Sequence, residues 1–600
     1  MHYHIWRLTS ILLFFLIVQI EYSYSQGEYP QDSTENVEKQ LGLSATIASH
    51  ALGADGVEYD TLLQNVKITQ DSFFLFCDTA YIENKSKVQA IGNVAIQQGD
   101  SIQIFSDSLY YNEALKLAEL YGRVIFSKGN QKLNTEKATY DINNKTAFYE
   151  EGATLLNGNQ KLISEKGVYD IENDLASFKE KVIVSDSSSV LQTDSLKYDL
   201  LHDIVYIIGP TNIKSDSTQI YCEQGYFNYE KQIGEFYKNL EIKTESRIIL
   251  AENVEYNRKT NTYTLTGNPT IDDDKSHAKA DTIIYAEKEE EVDLIGNAYY
   301  KSDDRELKSS YIKYNLKTDE YETLGESEVV DDSGRILNAE KLYRNIEGTD
   351  IAESKVNLRD TKEKVTLKTD ILESDNESNS YKAFSTSDKQ PLLIKELEGG
   401  NFLLQCDTLS YIKIDSTEYY EGINNISFLN KEFSGRSGNL LYSPIDTNYI
   451  FTDEPILWTD SIQITGDSIV ILFQNDEISR MDVFGNAFMI MQGSNGTYDQ
   501  VKGDQLSCNF SDNTINEIIV DDNVEMVYFM YENNEITGVN HSFCGGLVFT
   551  FVNDEVEYLR FKDKPNSTFS KGGILNPEVY NLQGFRWSGE RKPNKLSFKR

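Results

Sequence analysis

A chain of 600 residues is long enough for several ordinary domains or one long array, and 39% hydrophobic with 26% charged residues excludes a compositionally disordered polymer. With 57 basic and 96 acidic side chains the formal charge is −39, which excludes a general nucleic-acid binder unless basic patches are local. The 38 Tyr and 28 Phe against 9 Pro favour strands, because aromatic side chains suit a pleated, half-buried surface.

The N-terminus reads as an export signal. Arg7 precedes an almost unbroken apolar run from Leu8 to Ile20, and Ser23-Tyr24-Ser25 sets small residues at the two positions a signal peptidase reads. The run is shorter than the roughly 20 residues a membrane span needs. Residues 1–25 are therefore expected to be a cleaved signal peptide, Gln26 the mature start, and residues 26–60 a lead-in.

From residue 61 the chain repeats. The acids Asp78, Asp107, Glu136, Glu165, Asp194, Glu223, Glu252 and Asp281 recur at steps of 29 residues. Three or four positions after each stands a tyrosine: Tyr81, Tyr110, Tyr140, Tyr169, Tyr198, Tyr226, Tyr256 and Tyr285. Three positions before each stands an apolar residue: Leu75, Ile104, Leu133, Leu162, Leu191, Ile220, Ile249 and Ala278. One position before stands a small one, from Cys77 and Ser106 to Ala251 and Ala280. The second half of each unit alternates, as in Val88, Ala90, Gly92, Val94 and Ile96, or Ala118, Leu120, Gly122, Val124 and Phe126, or Ala176, Phe178, Val182 and Val184. Period-2 alternation marks strands with one buried face. Each unit thus reads strand, turn, strand, turn.

The register loosens after residue 300 but persists through Tyr314, Glu340, Asp407, Asp467 and Asp504. The expected layout is repeats over 61–373, a polar loop insertion over 374–398, further repeats over 399–562 and a basic tail over 563–600. The array would hold about 15–16 units, hence roughly thirty strands, with a continuous core that no single unit can bury alone. The fold class is all-β, an elongated twisted jellyroll or solenoid-like stack. With short strands assigned alternately to two facing sheets, its length would be on the order of 70 Å.

No catalytic constellation stands out. The six histidines are scattered, and no H-E-x-x-H, P-loop, G-x-S-x-G or G-x-G-x-x-G motif occurs. Asp272-Asp273-Asp274 lacks the glycine and later glutamate of a calcium loop. Five cysteines, two of them in the small slot, suit buried thiols. No enzyme activity, metal or cofactor is expected. The acid column reads either as a collector of divalent cations or as a solvated outer face. The tail, with Arg586, Arg591, Lys592, Lys595, Lys599 and Arg600 beside Phe585 and Trp587, reads as a partner- or headgroup-docking segment or as a solvated terminus.

The stretches "FSDSLYYNEALKLAELYGRVIF" and "FCDTAYIENKSKVQAIGNVAI" carry acid, Tyr and then Ala-x-Gly-x-Val on alternate positions. This pattern resembles the OstA-like family of lipopolysaccharide-transport proteins, over about residues 60–560. The ending "LQGFRWSGERKP" is similar to the long, multi-repeat Bacteroidetes form. The resemblance implies a periplasmic β-jellyroll carrying lipopolysaccharide, or another acylated envelope lipid, from inner to outer membrane. Its partners would be the transport components of both membranes, with end-to-end self-association as a further expectation and no nucleic acid. The candidate lipid-lining residues are Leu75, Ile104, Leu133, Leu162, Leu191, Ile220 and Ile249 with Val94, Val124 and Val182. A structural or adhesive envelope fibre would use the same repeat. An open seam between sheets favours the conduit, and a closed core favours the fibre.

Overall fold

The computed structural model describes residues 42–598, apart from short runs at individual turns. The expected signal peptide and residues 26–41 of the lead-in lie outside these residues. What is described is almost wholly strand: 48 strand segments in one antiparallel sheet, with no α-helix among the described residues.

The sheet is folded lengthwise. Phe73–Glu83 pairs with Lys87–Gln98 along nearly its full length, but the register slips by one residue between Phe76/Ala95 and Thr79/Ile91. The same slip recurs between Lys87–Gln98 and Ile102–Asn112, and in pair after pair down the chain. Such a bulge bends the strand locally. Here it turns each strand through a corner, so that its two halves lie on opposite walls of one core. Elsewhere the corner cuts the strand in two, as in Thr146–Tyr149 and Ala153–Asn157, which is why the segments outnumber the roughly thirty strands expected.

The corner has a backbone requirement. Two successive residues take positive φ: Gly92 (83°) and Asn93 (45°), Gly122 (72°) and Arg123 (44°), Gly296 (73°) and Asn297 (45°). Glycine adopts this region without strain and Asn tolerates it. The repeated Gly-Asn is therefore the corner itself, not part of a straight alternating strand.

Because every strand visits both walls, each wall holds about twice the rungs of two separate sheets. At about 4.8 Å per rung the contour of the array is on the order of 150 Å, double the length expected from the sequence. One hydrophobic core runs unbroken from Leu62 to Phe549. All five cysteines are buried free thiols, and burial pushes Cys77 up to about 11 and Cys222 up to about 12, so they stay protonated and inert.

Three expectations need correction. The stretch 374–398 is not a plain polar loop: Ser380–Phe384 and Leu392–Lys395 are strands of the array, with Ala383 and Leu392 buried. Its polar composition hid the inward alternation. The basic tail is not a solvated terminus. After Asn566–Lys571 the chain doubles back as a strap on the outer face, seating Leu582, Phe585 and Trp587 against Phe488, Ile490, Val527, Phe529 and Val539. Gln463 and Gln500 anchor it: the Ser588 N–H donates to Gln463 Oε1 (2.8 Å) and the Leu582 N–H to Gln500 Oε1 (2.8 Å). Finally, the tyrosine column mixes two parities. Tyr81 and Tyr110 point outward, while their neighbours Ile82 and Tyr111 are the buried ones. Only the fourth residue after the acid faces inward.

Candidate functional site

The interior is a single row of apolar side chains shared across strands. Ile68 faces Leu75, Leu75 faces Ile96, and Ile96 faces Ile104. The row continues through Phe126 and Leu133, through Leu155 and Leu162, and through Val184 and Leu191. It then passes Ile213 and Ile220 and reaches Ile242, Ile249 and Ile271. Leu75, Ile104, Leu133, Leu162, Leu191, Ile220 and Ile249 are its alternate rungs, and all are buried. Val94, Val124 and Val182 are also buried, but at the apex of the fold opposite Ser106, Thr135 and Thr193. Beyond the recognisable repeat the same row goes on through Leu307, Leu358 and Leu404 to Phe428.

On the other wall large and small residues alternate: Tyr111, Ala118, Tyr140, Ala147, Tyr169, Ala176, Tyr198. Each ring lies in the core and each hydroxyl reaches toward the mouth of the fold. Tyr140 donates to Gln98 Oε1 (2.5 Å), Tyr169 to Gln131 Oε1 (2.7 Å), and Tyr198 to Gln160. These bonds cross the seam, the line where hairpin turns of the two walls meet.

Ion pairs clamp the same line. Lys128 Nζ lies 2.8 Å from Asp174. Arg258 donates to both Asp186 oxygens (2.9 and 3.1 Å), and Thr218 Oγ1 to Glu287 (2.9 Å). Arg344 forks onto Asp350 (2.7 Å to each oxygen) and also bonds Asp319. The middle of the seam therefore carries arginines at turns, Arg247, Arg258, Arg305 and Arg344, despite the −39 total. Arg305 meets the adjacent Asp304 and Arg344 meets Asp350 six residues on, but other clamps join distant residues. Lys128 and Asp174 are 46 residues apart and Arg258 and Asp186 are 72.

Between the Arg258–Asp186 and Thr218–Glu287 clamps lies a cavity of about 300 Å³. Leu191, Ile220 and Phe227 form its apolar lining, and Ser188, Arg258 and Glu287 its polar side. It is an amphipathic opening from the seam into the row.

The seam carboxylates titrate low. Burial raises Asp186, but the Ser188 N–H and the Arg258 guanidinium outweigh it and hold the group below its ordinary value. At Asp304 burial is likewise outweighed, by Arg305 and Ser302, and the carboxyl sits at about 2. A depressed folded pKa stabilises above the unfolded value of about 3.9 and is lost as pH falls through the folded one. Protection of the amides at 186–189 and 256–258, relative to intrinsic exchange, is thus expected to hold at pH 5–7 and to be lost as the pH falls below the unfolded carboxylate value of about 3.9, before the apex corners open. Uniform exchange along the strands at pH 3 would contradict a clamped seam.

The acid column lies at the corners. Asp78 accepts from Asn93 Nδ2 (2.8 Å), Asp107 from Arg123 Nε (2.9 Å), Glu165 from Lys181 Nζ (3.0 Å) and Asp281 from Asn297 Nδ2 (3.0 Å). Asp407, Asp467 and Asp504 repeat the contact with Asn425, Asn486 and Asn523. Each of these acids braces the bend of the next strand, a role that neither the cation nor the solvated-face reading foresaw. The signal was present: Gly-Asn, Gly-Arg or a Lys follows about fifteen residues after most of the acids, though not after Glu136 or Asp194. No group of three or more His, Cys, Asp or Glu suited to a metal exists among the described residues.

Two family models match in tandem. Residues 49–184 match the OstA-like protein model, and residues 203–320 the LptA/LptD N-terminal domain model of lipopolysaccharide-transport proteins. Over residues 49–320 the chain is OstA-like. These are transport families of the cell envelope rather than catalytic ones. The OstA-like matches cover the N-terminal half of the interior row, and the row runs on past residue 320 with the same pairing. No curated protein matches the sequence. A solved structure, the extracellular domain of a protein described as a one component system from B. thetaiotaomicron, aligns at 9% identity over 90% of this chain and 98% of that one, with a TM-score of 0.10. Among the described residues of the OstA-like chain no helix is long and apolar enough to cross a membrane.

Proposed function

We propose that the folded sheet holds the acyl chains of lipopolysaccharide between its walls and passes them along the interior row, in the periplasm, from inner toward outer membrane. The observation that carries this reading is the uninterrupted apolar row beneath a polar seam, joined by an amphipathic opening at Leu191 and Ile220. Each buried methylene contributes about 0.8 kcal/mol wherever it lies along such a row, so a chain slides among near-equal sites. The net charge of −39 would repel lipid phosphates, and because the seam arginines are held by carboxylates, a phosphate would gain a cation there only by displacing one of those pairs. Inner- and outer-membrane transport components would receive the two ends.

Passage requires the walls to part. The clamps are hydrogen bonds and ion pairs near solvent, each contributing about 0–1.5 kcal/mol, so opening a few at a time costs little. The same filled core and latched seam support the alternative, a structural envelope fibre that carries no lipid. Photo-crosslinking separates the two. A photoreactive residue at Leu133, Leu162, Leu191 or Ile220 is expected to capture lipopolysaccharide in cells, and one at Glu136, Glu165 or Asp194 little. Folded protein that yields no lipid adduct from either set would leave the fibre as the better account.

A further inference from the structure

One strand faces two openings. In Gln224–Asn228 the side chain of Phe227 points inward and lines the amphipathic opening at the seam, while Tyr226 and Asn228 alternate with it and point outward. There they line a second cleft, of about 450 Å³, on the outer surface of the same wall. The lip between the two is the turn that carries Lys231, whose N–H donates to Asn228 Oδ1 (2.8 Å).

The cleft is built across successive rungs. Tyr206 pairs with Tyr226, Tyr226 with Glu235, and Glu235 with Glu255. Three rung spacings give it a length of about 14 Å. Tyr206 is 40% exposed between the buried Val205 and Ile207, and its ring centre lies 6.4 Å from that of Tyr226. The Tyr226 hydroxyl donates to Glu235 Oε1 (2.8 Å), which orients both side chains. The acid pair sets this place apart. Further along the same outward row acids meet bases, as Lys313 meets Glu322 and Glu373 meets Lys382. Here two exposed carboxylates stand directly opposite each other, an arrangement that costs stability.

A pair of aromatic rings beside paired carboxylates suits one ligand chemistry. The C–H face of a sugar ring packs on the negative face of an aromatic ring. Sugar hydroxyls donate to carboxylates in bonds stronger than those to neutral acceptors. The same carboxylates repel a phosphate. We propose that this cleft is a saccharide subsite, which takes a short, uncharged stretch of the sugars of lipopolysaccharide while an acyl chain enters the neighbouring opening. The source of the saccharide rests on the lipid-carrying function proposed above; the chemistry of the cleft does not.

The test is titration of the full chain with the lipid-free oligosaccharide cleaved from lipopolysaccharide, followed by calorimetry and saturation-transfer NMR. Binding is expected, and inorganic phosphate should not compete. Tyr206→Ala and Glu235→Gln should each weaken it about tenfold. Glu255→Gln has the sharper signature. It relieves the like-charge pair, so it should raise amide protection in Ile233–Lys243 and Arg247–Asn257 while weakening the saccharide about tenfold. A residue of structural role alone would move protection and leave binding as it was. The control Tyr81→Ala, an exposed tyrosine of the same outward row in an earlier unit, should leave binding unchanged. No saccharide binding, or an equal loss in the Tyr81 control, would overturn the subsite. Equal affinity for glycan strands of the cell wall would overturn its assignment to lipopolysaccharide. Lipid adducts at Leu191 in cells without saccharide binding would remove the subsite and keep the conduit. Saccharide binding without such adducts would support the cleft and remove the conduit.

Discussion

Leu162→Asp is expected to unfold the units around it while the far end of the array stays folded. Leu162 lies in the interior row between Leu155 and Val184 and is 2% exposed. Losing its burial removes about 2–3 kcal/mol, and a carboxyl in the same apolar space, even neutralised, adds about 2 kcal/mol or more. In a compact domain a loss of 4–5 kcal/mol approaches the whole stability. In a stack where each rung touches mainly its neighbours the damage is local, because stability is close to a sum of unit and interface terms. Hydrogen exchange should therefore rise sharply over about residues 130–220 and remain slow over 480–550. The introduced carboxyl has its folded pKa raised by burial, so the loss should be largest above that pKa and shrink as pH falls toward the unfolded value of about 3.9. The isosteric Leu162→Asn should show the same local opening without that pH dependence. Exchange that rises equally along the whole chain would mean a single cooperative unit, and the row would then not behave as a one-dimensional track.

The same locality explains what was legible in the sequence. Strand, turn and inward face are decided by neighbours two to four residues apart, so Leu133, Leu162 and Leu191 could be placed inside from spacing alone. The seam could not. Its partners, such as Arg258 and Asp186, are brought together only after two or three hairpins have been laid down, and no short-range pattern records that. Tyr140 was placed in the column but not given its role, because Gln98 stands 42 residues before it. The corner was half visible. Gly92 and Gly122 recur in the sequence, yet an alternating pattern reads straight through them, since a one-residue slip preserves alternation on both sides of the bend. The strap was legible as composition, basic and aromatic, but not as contact. Its anchors Gln463 and Gln500 are ordinary strand residues until the tail lies across them.

Gly296→Val is expected to cost about 3 kcal/mol and to act through Asp281. At φ 73° Gly296 occupies a conformation that a β-branched side chain rarely adopts, and that alone costs about 1–3 kcal/mol. A Cβ there would also meet Asp281 Oδ2 at 2.4 Å, the carboxylate that Asn297 Nδ2 holds from the other side at 3.0 and 3.1 Å. The substitution must therefore displace the brace as well as strain the bend. A double-mutant cycle separates the two. Gly296→Ala should destabilise by about 1–2 kcal/mol in the native background and by about 1 kcal/mol less where Asp281→Ala has already removed the carboxylate. The remainder is backbone strain and should not depend on residue 281. At the corresponding corner Glu180 and Lys181 already hold positive φ, with Lys181 braced on Glu165, so the bend itself does not demand glycine. What demands it at residue 296 is the close approach of the acid. Independent, additive costs for Gly296→Ala and Asp281→Ala would show that the acid column does not brace the corners, and its recurrence every 29 residues would need another cause.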